Sequence, residues 1–164
     1  MNGTRKKKAG AKETEAVVQA YGQRWKGVSE ATTEDVEKLE AVVGAKLPAE
    51  LKDFMRTCSG GIPEKDFYES DESDAEIGIG YVLPLREDRK RMSATAEIEL
   101  YRDKQALPRE LVPFAYDRGH ANLICLRLKE NDIVYWLHDD DKKPIRYVAP
   151  SLTEFLKGLG ECPF

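Results

Sequence analysis

Six carboxylates crowd into eleven residues near the middle of the chain: Asp66, Glu69, Asp71, Glu72, Asp74 and Glu76. Phe67 and Tyr68 lie between the first two, and no base interrupts the run. Carboxylates at this density can hold a hard cation or present a negative surface to a basic partner. The run lacks the glycine and the terminal glutamate spacing of an EF-hand loop, which argues against calcium. The surface reading makes Phe67 and Tyr68 the aromatic anchors of a contact patch. The plainer alternative is a solvated loop that aids solubility.

A second acidic run, His138-Asp139-Asp140-Asp141, has the residue types of a metal site. With two histidines in the whole chain, a hairpin loop that extends the acidic surface is the simpler expectation. Trp136 has the opposite parity from Ile133, Tyr135 and Leu137, so it either faces a partner or packs under a helix. Cys58 or Cys125 with His120 or His138 would supply a thiol–imidazole pair. Both cysteines sit in apolar runs, where packing is the ordinary role. Adding Cys162 gives an odd number, with no CxxC spacing, which is no disulfide framework. There is no P-loop, no GxGxxG, no GxSxG and no HExxH. No catalytic set, metal or cofactor is expected.

The whole chain has 164 residues, 41% hydrophobic and 34% charged, with a net charge of −4. That composition excludes a collagen-like, fully disordered or membrane-spanning chain. The charge is unevenly divided. Residues 1–12 hold Arg5, Lys6, Lys7, Lys8 and Lys12 and no acid, so the remainder carries −9 against the total of −4. A body so acidic argues against direct nucleic-acid binding, which needs clustered Lys and Arg. It suits a basic partner. Residues 1–12 read as a disordered basic tail, and residues 13–164 as one domain. The tail's cluster also has the residue types to touch nucleic acid or a membrane, or to fold back on the acidic loop. No apolar stretch follows the charged start, so a secretory signal is not expected, and the cytoplasm is the default compartment.

The elements that must hold these residues follow from periodicity. Thr14 offers a cap for a first helix, with Val17, Val18, Tyr21, Trp25 and Val28 on one side. A second helix begins at Thr33-Glu34-Asp35, carries Val36, Leu39, Val42 and Val43, and stops at Gly44. Pro48 opens a third, with Leu51, Phe54, Met55 and Cys58 on its inner face. Ile77 to Leu83 alternates as a strand whose Gly78 and Gly80 predict a bulge or a close backbone approach. Ser93 to Gln105 reads as a helix with Ile98 and Tyr101 on one face, while Glu97 to Tyr101 also fits a strand. Val112-Pro113-Phe114 suggests an edge segment, because proline cannot donate to a ladder. Asn122–Leu128 and Ile133–His138 form an antiparallel hairpin of buried strands, and Ile145–Val148 adds another strand. Ser151 with Glu154 caps a last helix that carries Leu152, Phe155, Leu156 and Leu159 and ends at Gly160. The class is α+β: N-terminal helices, a central, mostly antiparallel sheet and a closing C-terminal helix.

Leu47-Pro48-Ala49-Glu50-Leu51-Lys52-Asp53-Phe54 followed by Cys58-Ser59-Gly60-Gly61 resembles the opening signature of the SUKH superfamily. Leu111-Val112-Pro113-Phe114-Ala115-Tyr116-Asp117, Leu123–Leu128, Val134-Tyr135-Trp136 and Ser151–Leu156 resemble its second half, in order, so the likeness spans about residues 33–159. One departure is the turn Arg118-Gly119-His120-Ala121, longer and less glycine-rich than in many members. The resemblance implies a bacterial immunity protein that binds and neutralises a cognate toxin, often a nuclease, by protein contact. It implies no common catalytic site and no cofactor. A fungal branch of cell-wall-synthesis regulators leaves a non-catalytic interaction scaffold as the alternative. On the immunity reading, the acidic run, Trp136 and Asp139–Asp141 would cover a basic toxin's phosphate-binding groove.

Overall fold

The computed structural model describes residues 16–88 and 91–163. The tail of residues 1–12 and the expected cap Thr14 lie outside them. Among the described residues the fold is α+β, with four helices and a large antiparallel sheet that a C-terminal helix closes.

The first expected helix is a β-hairpin instead. Strands β1 (Val17–Ala20) and β2 (Gln23–Lys26) pair antiparallel through Tyr21-Gly22. Both turn residues are left-handed, at φ 53° and 79°, as a two-residue turn that follows the strand twist requires. Burial runs at period two, with Gln23 and Trp25 inside and Arg24 and Lys26 outside. The helical spacing of Val18, Tyr21 and Trp25 arises from two strands folded back on each other. Strand β3 (Ile62–Pro63) joins β2 to complete a three-stranded sheet.

Helices α1 (Thr33–Val43) and α2 (Ala49–Thr57) follow the hairpin. The cap of α1 is Thr32, one residue before the expected position. Its hydroxyl accepts from the Asp35 N–H at 3.3 Å, and Asp35 Oδ2 accepts from the Thr32 N–H at 2.8 Å. That reciprocal box satisfies two of the donors a helix start leaves open. Gly44, at φ 85°, ends the helix.

The main sheet has seven strands in the order β10-β4-β5-β6-β7-β8-β9, all antiparallel. They are β4 (Phe67–Tyr68), β5 (Ile77–Val82), β6 (Leu111–Asp117), β7 (Leu123–Arg127), β8 (Asp132–Trp136), β9 (Ile145–Ala149) and β10 (Leu159–Gly160). Helix α3 (Ala94–Gln105) precedes β6, and α4 (Leu152–Lys157) joins β9 to β10. Two expectations are corrected. Pro113 lies in β6, a central strand buried along its whole length, not at an edge. The register with β7 shifts between Pro113 and Ala115, and such an irregularity accommodates a residue without a donor. The last helix ends at Gly158, and Leu159-Gly160 leaves it to pair with β4.

An aromatic chain joins these parts. Phe54 of α2 meets Tyr21, Trp25 and Phe114 edge-on, with centroids 5.4, 5.4 and 5.9 Å away. Phe114 meets Phe155 of α4 at 6.1 Å, and Phe155 meets Tyr68 at 5.0 Å. Phe54, Phe114 and Phe155 are fully buried. The motif phenylalanine of α2 thus pins the hairpin, a helix and the central strand together, an arrangement whose loss would cost about 3–5 kcal/mol.

Candidate binding face

The acidic run spans β4 and its connection to β5, and its two ends are built differently. Phe67 and Tyr68 form β4 and are buried, at 9% and 6% exposure. They hydrogen-bond in the sheet opposite Gly78 and Ile77, so they are core residues and not exposed anchors. Trp136 is likewise 3% exposed, with its ring 5.7 Å from Tyr101 of α3, and it presents nothing to a partner. Of its two expected roles Trp136 takes the packing one, because residues on both faces of β8 are buried.

Asp66 is held by Arg118, whose Nη2 donates to Oδ1 at 2.6 Å and whose Nε donates to Oδ2 at 3.2 Å. This two-pronged pair raises the arginine's affinity for its proton above the ordinary value. Arg118 crosses the face of Gly78 on its way: a Cβ there would stand 3.0 Å from Nε. The glycine expected to mark a close approach does so.

Further along, the loop is fastened to β9 at the far edge of the sheet. Asp74 N–H donates to the Tyr147 carbonyl at 2.8 Å, and Tyr147 N–H donates back to Asp74 Oδ2 at 3.1 Å. Ser73 Oγ bonds the Val148 carbonyl. Lys143 Nζ lies 3.3 Å from Asp74 Oδ2. The Tyr147 amide and then Lys143 hold the Asp74 carboxyl below the usual range. This contact occupies part of an edge strand that would otherwise offer unpaired backbone groups to other chains.

The second acidic run arrives at the same strand. Asp140 accepts from the Lys142 and Lys143 N–H groups, both at 3.0 Å, and from Arg146 Nη2 at 2.6 Å. The Lys143 amide comes first in holding its carboxyl below the usual range, followed by Arg146 and the Lys142 amide. Asp74 and Asp140 therefore bracket residues 143–147, and the two acidic runs converge beside β9.

The nine acidic candidates divide by role. Asp66, Asp74 and Asp140 each engage a cation of the chain. Glu69, Asp71, Glu72, Glu76 and Asp141 are exposed and enter no salt bridge among the described residues. Asp139 is also exposed and lies 3.1 Å from His138 Nδ1. An open cleft of about 720 Å³ runs along Asn122, His138, Asp139, Asp140 and Asp141. Among the described residues, no three His, Cys, Asp or Glu side chains group closely enough to hold a metal ion.

Sequence reasoning missed Asp117. Its buried carboxylate accepts from Ala121 N–H at 2.9 Å, Asn122 N–H at 3.2 Å and the Tyr135 hydroxyl at 2.6 Å. It organises the turn that carries Arg118 to Asp66. His120 in that turn takes φ 56°, a conformation that glycine adopts more easily. The Asp that closes the motif Pro113-Phe114-Ala115-Tyr116-Asp117 was the available signal.

Cys58 and Cys125 are packing residues. Cys58 and Cys125 are fully buried. Burial pushes the Cys58 thiol up to about 12, with Asp53 adding to the effect, and burial alone drives that of Cys125 up as well. A thiol held in its neutral form is a poor nucleophile.

Residues 30–158 match the model of the SMI1 / KNR4 family (SUKH-1). The match covers most of the chain, and the chain belongs to that family. It is also 29% identical over 149 residues to the SPbeta prophage-derived uncharacterized protein YokK of Bacillus subtilis (strain 168), covering 80% of this chain and 76% of that one. The family is linked in general to toxin immunity, and its members are generally non-catalytic proteins that bind a toxin. No helix among the described residues is long and apolar enough to cross a membrane.

Proposed function

We propose that this chain is an immunity protein that neutralises a cognate, basic toxin domain by covering its active site. The observation that carries the reading is the set of uncompensated carboxylates Glu69, Asp71, Glu72, Glu76 and Asp141 on loops fastened to one strand. A fixed negative surface steers a basic partner and loses little conformational entropy on docking. A nuclease fits, since its phosphate-binding groove is the basic surface such a face would occupy. The work is contact and charge, in a reducing cytoplasm, with no catalytic step and no cofactor.

The test keeps Asp66, Asp74 and Asp140, which hold the loops, and changes Glu69→Gln, Asp71→Asn, Glu72→Gln and Glu76→Gln together. The toxic protein captured by the tagged native chain is then expressed in cells with either form. Wild type should protect the cells and bind one to one, with an association rate that falls as salt rises. The fourfold variant should protect poorly and associate at least tenfold more slowly at low salt. Equal protection and an equal rate would place the interface elsewhere.

A further inference from the structure

On other elements than the acidic face, a cleft of about 450 Å³ opens between the β1–β2 turn, the start of α2, helix α4 and β10. Its lining is Tyr21, Leu156 and Leu159 on the apolar side, with Glu50, Lys65 and Lys157 among the polar groups. The volume falls in the range of small-ligand pockets. Three long-range contacts fix its walls. Gln23 clamps the backbone of Lys65, donating from Nε2 to its carbonyl at 2.8 Å and accepting its N–H at Oε1 at 2.7 Å. Thr153 Oγ1 donates to Glu50 Oε2 at 2.6 Å, which ties α4 to α2. Tyr21 holds an unfavourable left-handed backbone for a bulky residue while its ring packs on Phe54 and its hydroxyl reaches Asp53 at 3.4 Å. The walls are thus braced around a space that the described residues do not fill.

The charges select the occupant. Lys65 and Lys157 are exposed and enter no salt bridge among the described residues. Glu50, the one acid among the described lining residues, already accepts from Thr153. The cleft therefore combines an apolar floor with a surplus of positive charge, on a domain that is otherwise acidic. We propose that it is a binding site for a small apolar carboxylate, its chain on Tyr21, Leu156 and Leu159 and its carboxylate at the rim by Lys65 and Lys157. A cationic ligand would meet two lysines, and a neutral one would leave both unused.

The test titrates the full chain with octanoate, with octylammonium and with an N-acetylated tripeptide ending in leucine, followed by backbone amide NMR. Octanoate should move the amides of Gly22, Lys65 and Lys157 and saturate with Kd of about 1 mM or below. Octylammonium should bind at least tenfold more weakly. Lys65→Gln and Lys157→Gln, both surface changes, should each weaken octanoate about three- to fivefold. Equal binding of octanoate and octylammonium, octanoate binding untouched by either substitution, or no shift at the cleft up to ~10 mM would overturn the proposal. Binding of the tripeptide without octanoate would overturn it too, in favour of a peptide terminus as occupant.

Discussion

Removing the Asp117 carboxylate should loosen the turn that organises the candidate face, and the cost can be worked from its bonds. Asp117→Ala deletes the acceptor for two backbone N–H groups, for the Tyr135 hydroxyl and, at 3.4 Å, for the Asn122 side-chain amide. A hydrogen bond to a charged group contributes about 1.5–3 kcal/mol net. The two amides belong to an exposed turn and regain water, so most of their share returns. The Tyr135 hydroxyl is the less recoverable partner. Burial first, and then its bond to Asp117, push its own ionisation up to about 12, so it stays a proton donor at neutral pH. The expected total is about 3 kcal/mol, below the simple sum of four bonds. For a chain of this size that lowers Tm by about 6–12 °C. Asp117→Asn keeps one carbonyl oxygen for the amides and should cost about 1–2 kcal/mol. Tyr135→Phe should cost about 1 kcal/mol in wild type and much less in the Asp117→Ala background. Urea denaturation of the four proteins, with the double variant, measures each step. If Asp117→Ala stayed within 1 kcal/mol of wild type, or Tyr135→Phe cost as much without Asp117 as with it, the network would not hold the turn.

Two further outcomes follow from the same region. A Cβ on Gly80 would stand 2.2 Å from the Asp117 carbonyl oxygen and 2.7 Å from His120 Cδ2. Gly80→Ala should therefore destabilise by about 3 kcal/mol or more in thermal unfolding, while Gly119→Ala, with 4.0 Å to its nearest neighbour, should cost little. Burial raises the Glu97 carboxyl above its ordinary 4.5, and the Tyr116 hydroxyl only partly opposes this. Its protonated form is thus favoured in the fold, and that contribution is complete below the ordinary value and lost as pH rises through the folded one. Urea stability measured upward from pH 4 should fall more steeply for wild type than for Glu97→Gln, and parallel profiles would refute the assignment.

The sequence made the architecture readable wherever one period dominated. Helix α1 with its glycine stop, the apolar run of β7 and the Ser151 cap are all where local chemistry places them. Reading failed at the hairpin, where two four-residue strands and a left-handed turn imitate a helical stripe. It failed again at Pro113, because a register shift in a central strand is a property of the pairing and not of the residue. The candidate site was legible as charge and illegible as structure. Composition found the nine acids, but it could not separate Asp66, Asp74 and Asp140 from their neighbours. Their partners Arg118, Lys143 and Arg146 are distant in sequence or masked by local contrast. Phe67 and Tyr68 read as loop aromatics only because a two-residue strand leaves no periodicity to detect.

That division has a consequence for recognition. The loop between β4 and β5 closes on β9 through Ser73 and Asp74, so these positions serve the fold before they serve any partner. Asp66 is committed in the same way to Arg118. Glu69, Asp71, Glu72 and Glu76 lie between or beside these fixed points, exposed and without such duties among the described residues. Changing them alters the charge and shape offered to a partner without altering what holds the loop in place. A surface of that kind can be respecified at low cost in stability, since isolated surface substitutions usually lie within about 0.5 kcal/mol. A protein that must match one particular partner on an unchanging domain needs that separation of anchoring from displaying residues.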